Sequence, residues 1–186
     1  MSDFGTVLTN ASAPDREGTD FYPTPDNCTI ALINFMKPSK DKVIWEPACG
    51  EGHMSKCLES LGYSVISTTI IDQGFGLTGV DFLGEMQKRG DLIITNPPFK
   101  LAEEFINHSI SLDVPFAFLL KSQFWHSKRR MSLFNKHKPM AVLPLTWRPD
   151  FLFGKKSGSP TMDCLWTVWG SKPSQTTTFQ PLAKPC

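Results

Sequence analysis

The chain has 186 residues, a hydrophobic fraction of 40%, a charged fraction of 20% and a formal net charge of +1. This length fits one domain with one sizeable core, and this composition excludes the collagen-like, coiled-coil and wholly disordered classes. The longest uncharged apolar run, residues 114–120, is shorter than the roughly 18 residues that cross a bilayer, and the first residues lack the features of a signal peptide. The sequence therefore predicts neither membrane insertion nor secretion.

The five cysteines are widely spaced and include no C-x-x-C pair, which argues against a disulfide framework or a structural zinc site. We therefore expect the protein to function in a reducing cytoplasm. Cys49, His53 and Cys57 have a spacing that one helix face could offer to a metal, but Cys49 falls in a glycine-rich turn and a fourth ligand is not evident. The sequence thus predicts no metal site.

The small net charge hides a segregation of basic residues along the chain. Residues 1–120 carry 8 basic and 16 acidic side chains, whereas residues 121–156 carry nine basic side chains against Asp150 alone. This asymmetry is typical of a protein with an edge that faces a polyanion, although a solvated basic helix would give the same pattern.

Between residues 21 and 170, short apolar runs alternate with amphipathic stretches, and we interpret this part as a single domain. Residues 1–20 are predicted to be a mobile arm and residues 171–186 a flexible tail. The predicted strands lie at 43–45, 63–71, 91–95, 115–120, 140–145 and 164–169, with amphipathic stretches at 53–61 and 101–112 and a basic one near 127–137. This β-α-β order indicates an α/β fold with a doubly wound, mainly parallel sheet and helices on both faces. A ligand should bind beyond the carboxyl ends of the strands.

The first predicted strand runs into a turn at residues 46–52 (EPACGEG), and a helical pattern follows. Two glycines between a strand and a helix let the backbone approach a ligand closely, so a nucleotide-like cofactor is expected here, although a plain tight turn would use the same residues. A second pattern, residues 74–79 (GFGLTG), formally matches a dinucleotide fingerprint. Because neither a helix start nor a suitable acidic strand end follows it, we interpret it as a glycine-rich loop.

The tetrapeptide Asn96-Pro97-Pro98-Phe99 follows the apolar strand at 91–95 and so lies at the ligand-binding edge. Each proline disfavours helical backbone in the residue before it, so Asn96 and Pro97 are held extended. The Asn96 side-chain oxygen and the Pro97 carbonyl could then accept hydrogen bonds from one amino group, while Phe99 stacks on the ring that bears it. A polar strand end with a proline stop is the alternative interpretation.

Together these motifs resemble the class I S-adenosylmethionine-dependent methyltransferases, specifically the small adenine-N6 DNA methyltransferases of phages and prophages, a group related to restriction-modification enzymes. The turn at 46–52 is similar to the family's first cofactor motif, the NPPF tetrapeptide to its catalytic motif, and residues 21–25 (FYPTP) to its cofactor-wrapping segment. The resemblance spans roughly residues 20–170. It implies a Rossmann-like, seven-stranded fold, S-adenosyl-L-methionine as cofactor, and direct in-line methyl transfer to the N6 amine of a flipped adenine in DNA.

The resemblance also implies roles for individual residues. The catalytic residues would be Asn96, Pro97, Pro98 and Phe99. The cofactor would be bound by Tyr22, Pro23, Thr24, Pro25, Glu46, Pro47, Ala48, Gly50, Gly52, Asp72, Asp81 and Phe82. Separately, the basic and aromatic side chains at residues 124–130 and the lysines at 155–156 suit contacts with phosphates and bases. A solvated helix is the alternative for the first stretch, and an ordinary flexible loop is the alternative for the second. The expected DNA contacts are Trp125, Lys128, Arg129, Arg130, Arg148, Lys155 and Lys156.

Two features depart from this family. The position at the end of the second strand, where the family usually places an acidic residue for the cofactor ribose, is Thr69 here, although Asp72 could substitute if the strand end is shifted. The interval between Phe99 and Asp163 leaves room only for loops, where restriction-type enzymes carry a separate target-recognition domain. A short or loose target sequence is therefore expected.

Two other functions compete with adenine methylation in DNA. The same tetrapeptide would also suit an RNA base amine or, less well, the amide of a protein glutamine. A catalytically silent module that binds nucleic acid or a partner would explain Thr69 and the missing recognition domain. The intact NPPF tetrapeptide argues against the silent module, because such a module has no need of two prolines that fix acceptor groups.

Overall fold

The computed structural model describes residues 22–153 and 160–185. The strands in these ranges are β1 (Val43–Glu46), β2 (Ser64–Ser67), β3 (Leu92–Thr95), β4 (Phe116–Lys121), β5 (Ala141–Pro144), β6 (Cys164–Trp169) and β7 (Thr178–Phe179). The α-helices are α1 (Asp26–Met36), α2 (His53–Ser60), α3 (Ala102–Ser111) and α4 (Met131–Lys136), and short 3-10 helices lie at Phe82–Gly84, Phe99–Leu101, Ser122–Trp125 and Lys128–Arg130. The predicted arm at residues 1–20 and the loop residues Lys155 and Lys156 lie outside the described residues.

The described strands form one seven-stranded sheet in the order β2-β1-β3-β4-β6-β5-β7. Neighbouring strands are parallel except at β6, which runs antiparallel to both β4 and β5. This arrangement confirms the predicted doubly wound, mainly parallel α/β fold. Because β1, β3 and β4 are adjacent and parallel, their carboxyl ends meet at one edge, and the loops that follow them are brought together there.

Helices cover both faces of the sheet because its central strands are apolar on both sides. All four residues of β3 and the first five of β4 are buried. On one face, Leu32 of α1 and Leu58 of α2 share a core with Ile94, and on the other, Ile106 of α3 shares a core with Ile93. No helix in the described ranges combines the length and the hydrophobicity needed to cross a membrane.

Helix α1, which the sequence pattern did not indicate, leads out of the segment at residues 22–25. Pro25 occupies the N-cap position with a φ of −62°, and its carbonyl accepts a hydrogen bond from the Cys28 N–H at 3.0 Å. The Trp166 indole of β6 donates to the Cys28 carbonyl at 2.9 Å, which fastens this first turn to the sheet. The helix ends at Met36, and the C-cap residue Lys37 has a left-handed backbone (φ 45°) and donates its N–H to the Ile33 carbonyl at 2.9 Å. The segment before α1 is therefore held at the carboxyl edge.

Residues 178–182 pair with the edge of the sheet, within a segment whose composition predicts a flexible tail. Strand β7 pairs in parallel with β5, and Leu182 forms a further bridge with Leu145. The Leu182 carbonyl accepts hydrogen bonds from both the N–H and the hydroxyl of Thr146, at 3.1 and 2.9 Å. The Leu182 side chain is 6% exposed in the α1 and α2 core. The polar composition of this segment does not indicate a strand, because the strand is stabilised by backbone hydrogen bonds and by a single apolar side chain.

We predict that Leu182→Ala lowers the free energy of unfolding by about 2–4 kcal/mol, because it leaves a cavity in the core. Phe179→Ala is the matched control, since Phe179 of β7 is 69% exposed and its loss should cost less than about 0.5 kcal/mol. Urea denaturation followed by tryptophan fluorescence measures both variants. Equal losses would contradict the packing of this segment.

Candidate functional site

A cavity of about 280 Å³ opens at the carboxyl edge, between the segment at 22–24 and the loops that follow β1, β2 and β3. The residues predicted from sequence that line it are Tyr22, Pro23, Thr24, Glu46, Pro47, Ala48, Gly50, Asp81, Phe82, Asn96 and Pro98. The predicted catalytic and cofactor-binding residues that do not line it are Pro25, Gly52, Asp72, Pro97 and Phe99. The structure thus brings together four segments that the sequence indicated separately, at residues 22–24, 46–50, 81–82 and 96–98.

The turn at 46–52 has the backbone that its glycines suggested. Gly50 and Gly52 have φ angles of 53° and 80°, in the left-handed region that other residues rarely adopt. A Cβ atom on Gly52 would also lie 2.3 Å from the Phe75 ring, so a side chain cannot be accommodated there. The turn is closed by a hydrogen bond from the Gly52 N–H to the Cys49 carbonyl at 2.8 Å.

The glycine-rich loop at 74–79 supports this turn and does not start an α-helix. A Cβ atom on Gly76 would lie 2.8 Å from both Cys49 Sγ and the Ser67 carbonyl oxygen, so the loop packs tightly against the turn. The 3-10 helix Phe82–Gly84 is the next regular element of the chain. This agrees with its interpretation as a loop and not as a dinucleotide fingerprint.

The cysteines near the turn have no metal-site geometry. Cys49 Sγ lies 3.6 Å from the Phe75 carbonyl oxygen, and Cys57 Sγ lies 3.8 Å from the Asp26 carbonyl oxygen. Within residues 22–153 and 160–185, no group of three or more His, Cys, Asp and Glu side chains could hold a metal ion.

Glu46 ends β1 inside the cavity wall and is only 3% exposed. Its Oε2 accepts a hydrogen bond from the Ser55 hydroxyl of α2, which in turn lies 2.6 Å from the Ser67 hydroxyl of β2. Burial disfavours the charged carboxylate and raises the pKa of Glu46 to about 8, an effect that the Ser55 hydrogen bond only partly opposes. Glu46 is therefore mostly protonated at neutral pH in the free protein.

Three further polar atoms on cavity-lining residues are buried without a hydrogen-bond partner among the described residues. They are Gln73 Oε1, His53 Nδ1 and Asn96 Oδ1. A buried polar atom without a partner costs free energy, so the oxygens of Gln73 and Asn96 point to a ligand that supplies donors, whereas His53 Nδ1 lies 3.9 Å from Glu51 Oε2. The Asp81 carboxylate also lines the cavity, where its Oδ1 accepts the Leu83 N–H at 3.0 Å.

Thr69 and Asp72, the two candidates for the ribose-binding position, are placed differently. Thr69 lines the cavity and is 6% exposed, but its hydroxyl donates to the Ile71 carbonyl at 3.1 Å. Asp72 is exposed outside the cavity, and its Oδ1 accepts the Gly74 N–H at 2.9 Å. The neighbouring residue, Gln73, reaches the cavity instead. Gln73 was not predicted, because the family pattern places a carboxylate at this position, although an amide oxygen can accept the same hydrogen bonds.

The Asn96 amide joins the end of β3 to the N-terminal segment. Its Nδ2 donates to the Tyr22 carbonyl oxygen at 3.0 Å and to the Thr24 hydroxyl oxygen at 3.1 Å. A carbonyl oxygen can only accept, so this pair of bonds fixes which end of the amide carries the oxygen. Oδ1 is left buried and without a partner in the described part of the chain. Asn96 therefore presents an acceptor at the cavity wall.

Beside this acceptor lies a group of rings that we call the aromatic cluster, formed by Tyr22, Phe99 and Phe151. The ring centroids of Tyr22 and Phe99 are 5.2 Å apart, and those of Tyr22 and Phe151 are 5.6 Å apart. Lys121 Nζ lies 4.3 Å from the Phe99 centroid. Because Tyr22 also lines the cavity, the cavity and the aromatic cluster share a wall.

The predicted DNA-binding residues are largely engaged within the protein. Glu103 of α3 accepts hydrogen bonds from Arg129 Nη2 and Arg130 Nε, both at 3.1 Å. Arg130 also donates to the Phe124 carbonyl at 3.0 Å, and its side chain is 19% exposed. Trp125 stacks on Phe134 with centroids 4.3 Å apart, instead of leaving both of its faces free.

The other described basic candidates are more open to a ligand. Arg148 is bound to Asp163 at 2.8 Å, but its side chain is 55% exposed. Lys128 is exposed, and the Arg129 side chain is 75% exposed despite its ion pair with Glu103. Residues 121–156, which we call the basic segment, can therefore offer Lys128, Arg129 and Arg148 to a polyanion more readily than Arg130.

Solved structures with similar folds include three methyltransferases. A Listeria monocytogenes protein assigned to the class I S-adenosylmethionine-dependent methyltransferases matches with a TM-score of 0.58 and 15% identity, over 86% of this chain and 65% of that chain. The type I restriction-modification methyltransferase subunit of Streptococcus thermophilus matches with a TM-score of 0.61 and 13% identity, over 86% of this chain and 47% of that chain. A dimethyladenosine transferase of Plasmodium falciparum matches with a TM-score of 0.57 and 15% identity, over 80% of this chain and 62% of that chain.

This chain has the class I methyltransferase fold. It spans less than two thirds of the length of each of the three chains just named. No protein-family model matches the sequence, and no curated protein matches it either. At these identities the likeness describes the fold, and the function has to be argued from the site.

We predict that the stability of the protein falls between pH 5 and pH 9 by an amount that Glu46→Gln abolishes. The folded state holds the Glu46 proton up to a pKa of about 8, against an ordinary value of 4.5, so this contribution is present below pH 4.5 and is lost as the pH rises through 8. Each unit of pKa difference corresponds to roughly 1.4 kcal/mol.

Urea denaturation at a series of pH values measures this dependence. Glu104→Gln is the matched control, because Glu104 is an exposed residue of α3. A wild-type profile that equals the Glu46→Gln profile would show that Glu46 is already ionised at neutral pH.

Proposed function

We propose that this protein transfers a methyl group from S-adenosylmethionine to the exocyclic N6 amine of adenine in DNA, after the base has been flipped out of the duplex. The observation that carries the proposal is the Asn96 amide, whose two N–H groups are engaged by Tyr22 and Thr24 while Oδ1 stays buried and unpartnered. An acceptor fixed in this way suits a substrate that offers an N–H group.

The cavity residues fit a cofactor of this kind. The turn at 46–52 lets the backbone approach a ligand, and Gln73 Oε1 can accept a hydrogen bond from a donor such as a ribose hydroxyl or an amino group. Asp81 and Phe82 offer a carboxylate and a ring to an adenine. When bound, S-adenosylmethionine supplies an activated methyl group on sulfur.

Glu46 would respond to this cofactor through its charge. A cationic ammonium group near the buried carboxyl would favour its ionised form, so binding would release the proton that Glu46 holds at neutral pH.

The chain's own residues would hold the acceptor amine and the base. Asn96 Oδ1 would accept one amine N–H, and the Pro97 carbonyl would accept the other, which draws the nitrogen toward tetrahedral geometry. Phe99 would provide a stacking surface for the base beside the cavity wall formed by Tyr22. The residues need no covalent intermediate, because they position the two reactants. The proton that the amine loses would pass to solvent.

Charge favours a nucleic acid as the acceptor. Nine of the 19 basic residues fall between residues 121 and 156, and that stretch contains one acidic residue. Lys128, Arg129 and Arg148 are exposed enough to meet phosphates. A protein that offers a glutamine carries no phosphates for these cations to contact. RNA does carry them, so the same features also suit RNA as the acceptor.

We predict that Asn96→Ala lowers the rate of methylation by at least about 100-fold, the cost of losing a preorganised contact to the reacting group. The measurement is mass spectrometry of nucleosides from unmethylated DNA, and in parallel from RNA, after incubation with S-adenosylmethionine. Asn107→Ala, an exposed change on α3, is the control and should retain full activity.

Each outcome of that experiment has a distinct meaning. Methyladenine in DNA that disappears in Asn96→Ala supports the proposal. Methylated nucleosides from RNA alone would move the acceptor to RNA. No product from either polymer, together with tight cofactor binding in calorimetry, would favour the silent module.

We predict that Lys128→Gln weakens DNA binding and reduces the slope of log K against log salt concentration by about one, because one phosphate contact is lost. Arg130→Gln should instead lower the melting temperature, because Arg130 is held by Glu103 and the Phe124 carbonyl. Fluorescence anisotropy at several salt concentrations and thermal unfolding separate the two effects. A reduced slope in Arg130→Gln alone would reverse this assignment.

A further inference from the structure

The last residue of β4, Lys121, carries a cation into the aromatic cluster. Its Nζ lies 4.3 Å from the Phe99 ring centroid and 5.7 Å from that of Tyr22. Strands β3 and β4 are parallel, with Thr95 beside Phe118. Lys121 follows Phe118 by three residues, as Pro98 follows Thr95, so the ammonium lies beside the NPPF tetrapeptide. The sequence analysis assigned Lys121 no individual role.

The strand geometry explains why this side chain reaches the cluster. Side chains alternate between the two faces of a strand, and Ala117 and Leu119 point into the core beneath α1 and α2. Lys121 continues that row at the open end of the strand. Tyr22 and Phe151 pack against the same core, so the lysine emerges on their side of the sheet.

No carboxylate neutralises this ammonium in the described ranges. None of the ion pairs there involves Lys121. Asp163 directly precedes Cys164, the residue of β6 that is paired with Lys121, but its carboxylate is bound to Arg148 at 2.8 Å. Lys121 therefore presents its N–H donors, held against ring faces, on the acceptor side of the site.

A base stacked on Phe99 would bring its edge to this donor. Stacked rings lie about 3.5–4 Å apart, and Lys121 Nζ, at 4.3 Å from the Phe99 centroid, occupies nearly that layer. The lone pairs of base ring nitrogens point outward in the plane of the base, so a donor in the same layer meets them. Because Nζ lies over the Phe99 ring face, the ammonium has to move sideways to the edge of a base that stacks there, and its flexible four-carbon stem allows this movement.

We propose that Lys121 is a substrate-binding residue that donates a hydrogen bond to a ring nitrogen flanking the target amine, N1 or N7 of a flipped adenine. This inference rests on the proposed function and deepens it. Asn96 would accept a hydrogen bond from the amine, and Lys121 would donate one to the ring nitrogen next to that amine. The site would therefore select a base in which an amine lies beside a ring acceptor. The guanine N2 amine, which lies beside the N1–H donor, would be rejected on that edge.

The test uses the full chain and random-sequence DNA pools made with adenine or with 1-deaza-, 3-deaza- or 7-deazaadenine. Each analogue lacks one ring nitrogen, and 3-deazaadenine is the control because N3 does not flank the amine. The wild-type protein should show a kcat/KM at least about tenfold lower for the 1-deaza or the 7-deaza pool, the cost of one hydrogen bond to a charged donor. Lys121→Met should lose that discrimination, whereas Lys136→Met, a change at an exposed lysine of α4, should keep it.

A purely structural role would not produce this result, because it would lower the rate on all pools alike. Unchanged discrimination in Lys121→Met would overturn the inference, and so would a uniform loss with a reduced salt slope, which would indicate a phosphate contact. Lys121→Gln provides a second neutral variant if Lys121→Met fails to bind S-adenosylmethionine in calorimetry. A wild-type protein that methylates every pool equally would overturn this inference alone, whereas one that leaves the adenine pool unmethylated would overturn the proposed function with it.

Discussion

The two hydrogen bonds donated by the Asn96 amide are the constraint on which the site depends. They join the end of β3 to Tyr22 and Thr24, which lie 74 and 72 residues away in the chain. Because helix α1 is fastened to the sheet through Cys28 and Trp166, the preceding segment has little freedom to leave this edge. One side chain therefore closes the cavity and also fixes the direction of its own acceptor oxygen.

The cavity wall collects polar groups that the protein itself does not satisfy. Gln73 and Asn96 each keep a buried oxygen without a hydrogen-bond partner in the described residues, and burial leaves Glu46 mostly protonated at neutral pH. Such groups lower the stability of the free protein, because a buried polar atom loses its water without gaining a partner. A ligand with matching donors would supply the missing hydrogen bonds. The same groups that lower the stability of the free protein would therefore raise its affinity for that ligand.

The basic segment shows how intramolecular pairing limits what charge alone suggests. Its residues were selected by a count of charges, but Glu103 of α3 already binds Arg129 and Arg130. An arginine tied into such a network positions the segment, while exposed cations such as Lys128 remain available to phosphates. A sum of charges cannot distinguish these two uses, because Glu103 lies far from both arginines in the sequence.

The sequence by itself determined the strands β1 to β6, the doubly wound sheet, the two glycines of the first turn and the position of the NPPF tetrapeptide. These features are local, because periodicity reports the burial of continuous segments and because proline and glycine act on their own backbone. Tertiary structure alone decided that Gln73 and not Asp72 reaches the cavity, that Leu182 belongs to the core, and that Lys121 meets Phe99. Those contacts depend on how loops and strand ends far apart in the chain converge, and local sequence patterns carry no signal for such convergence.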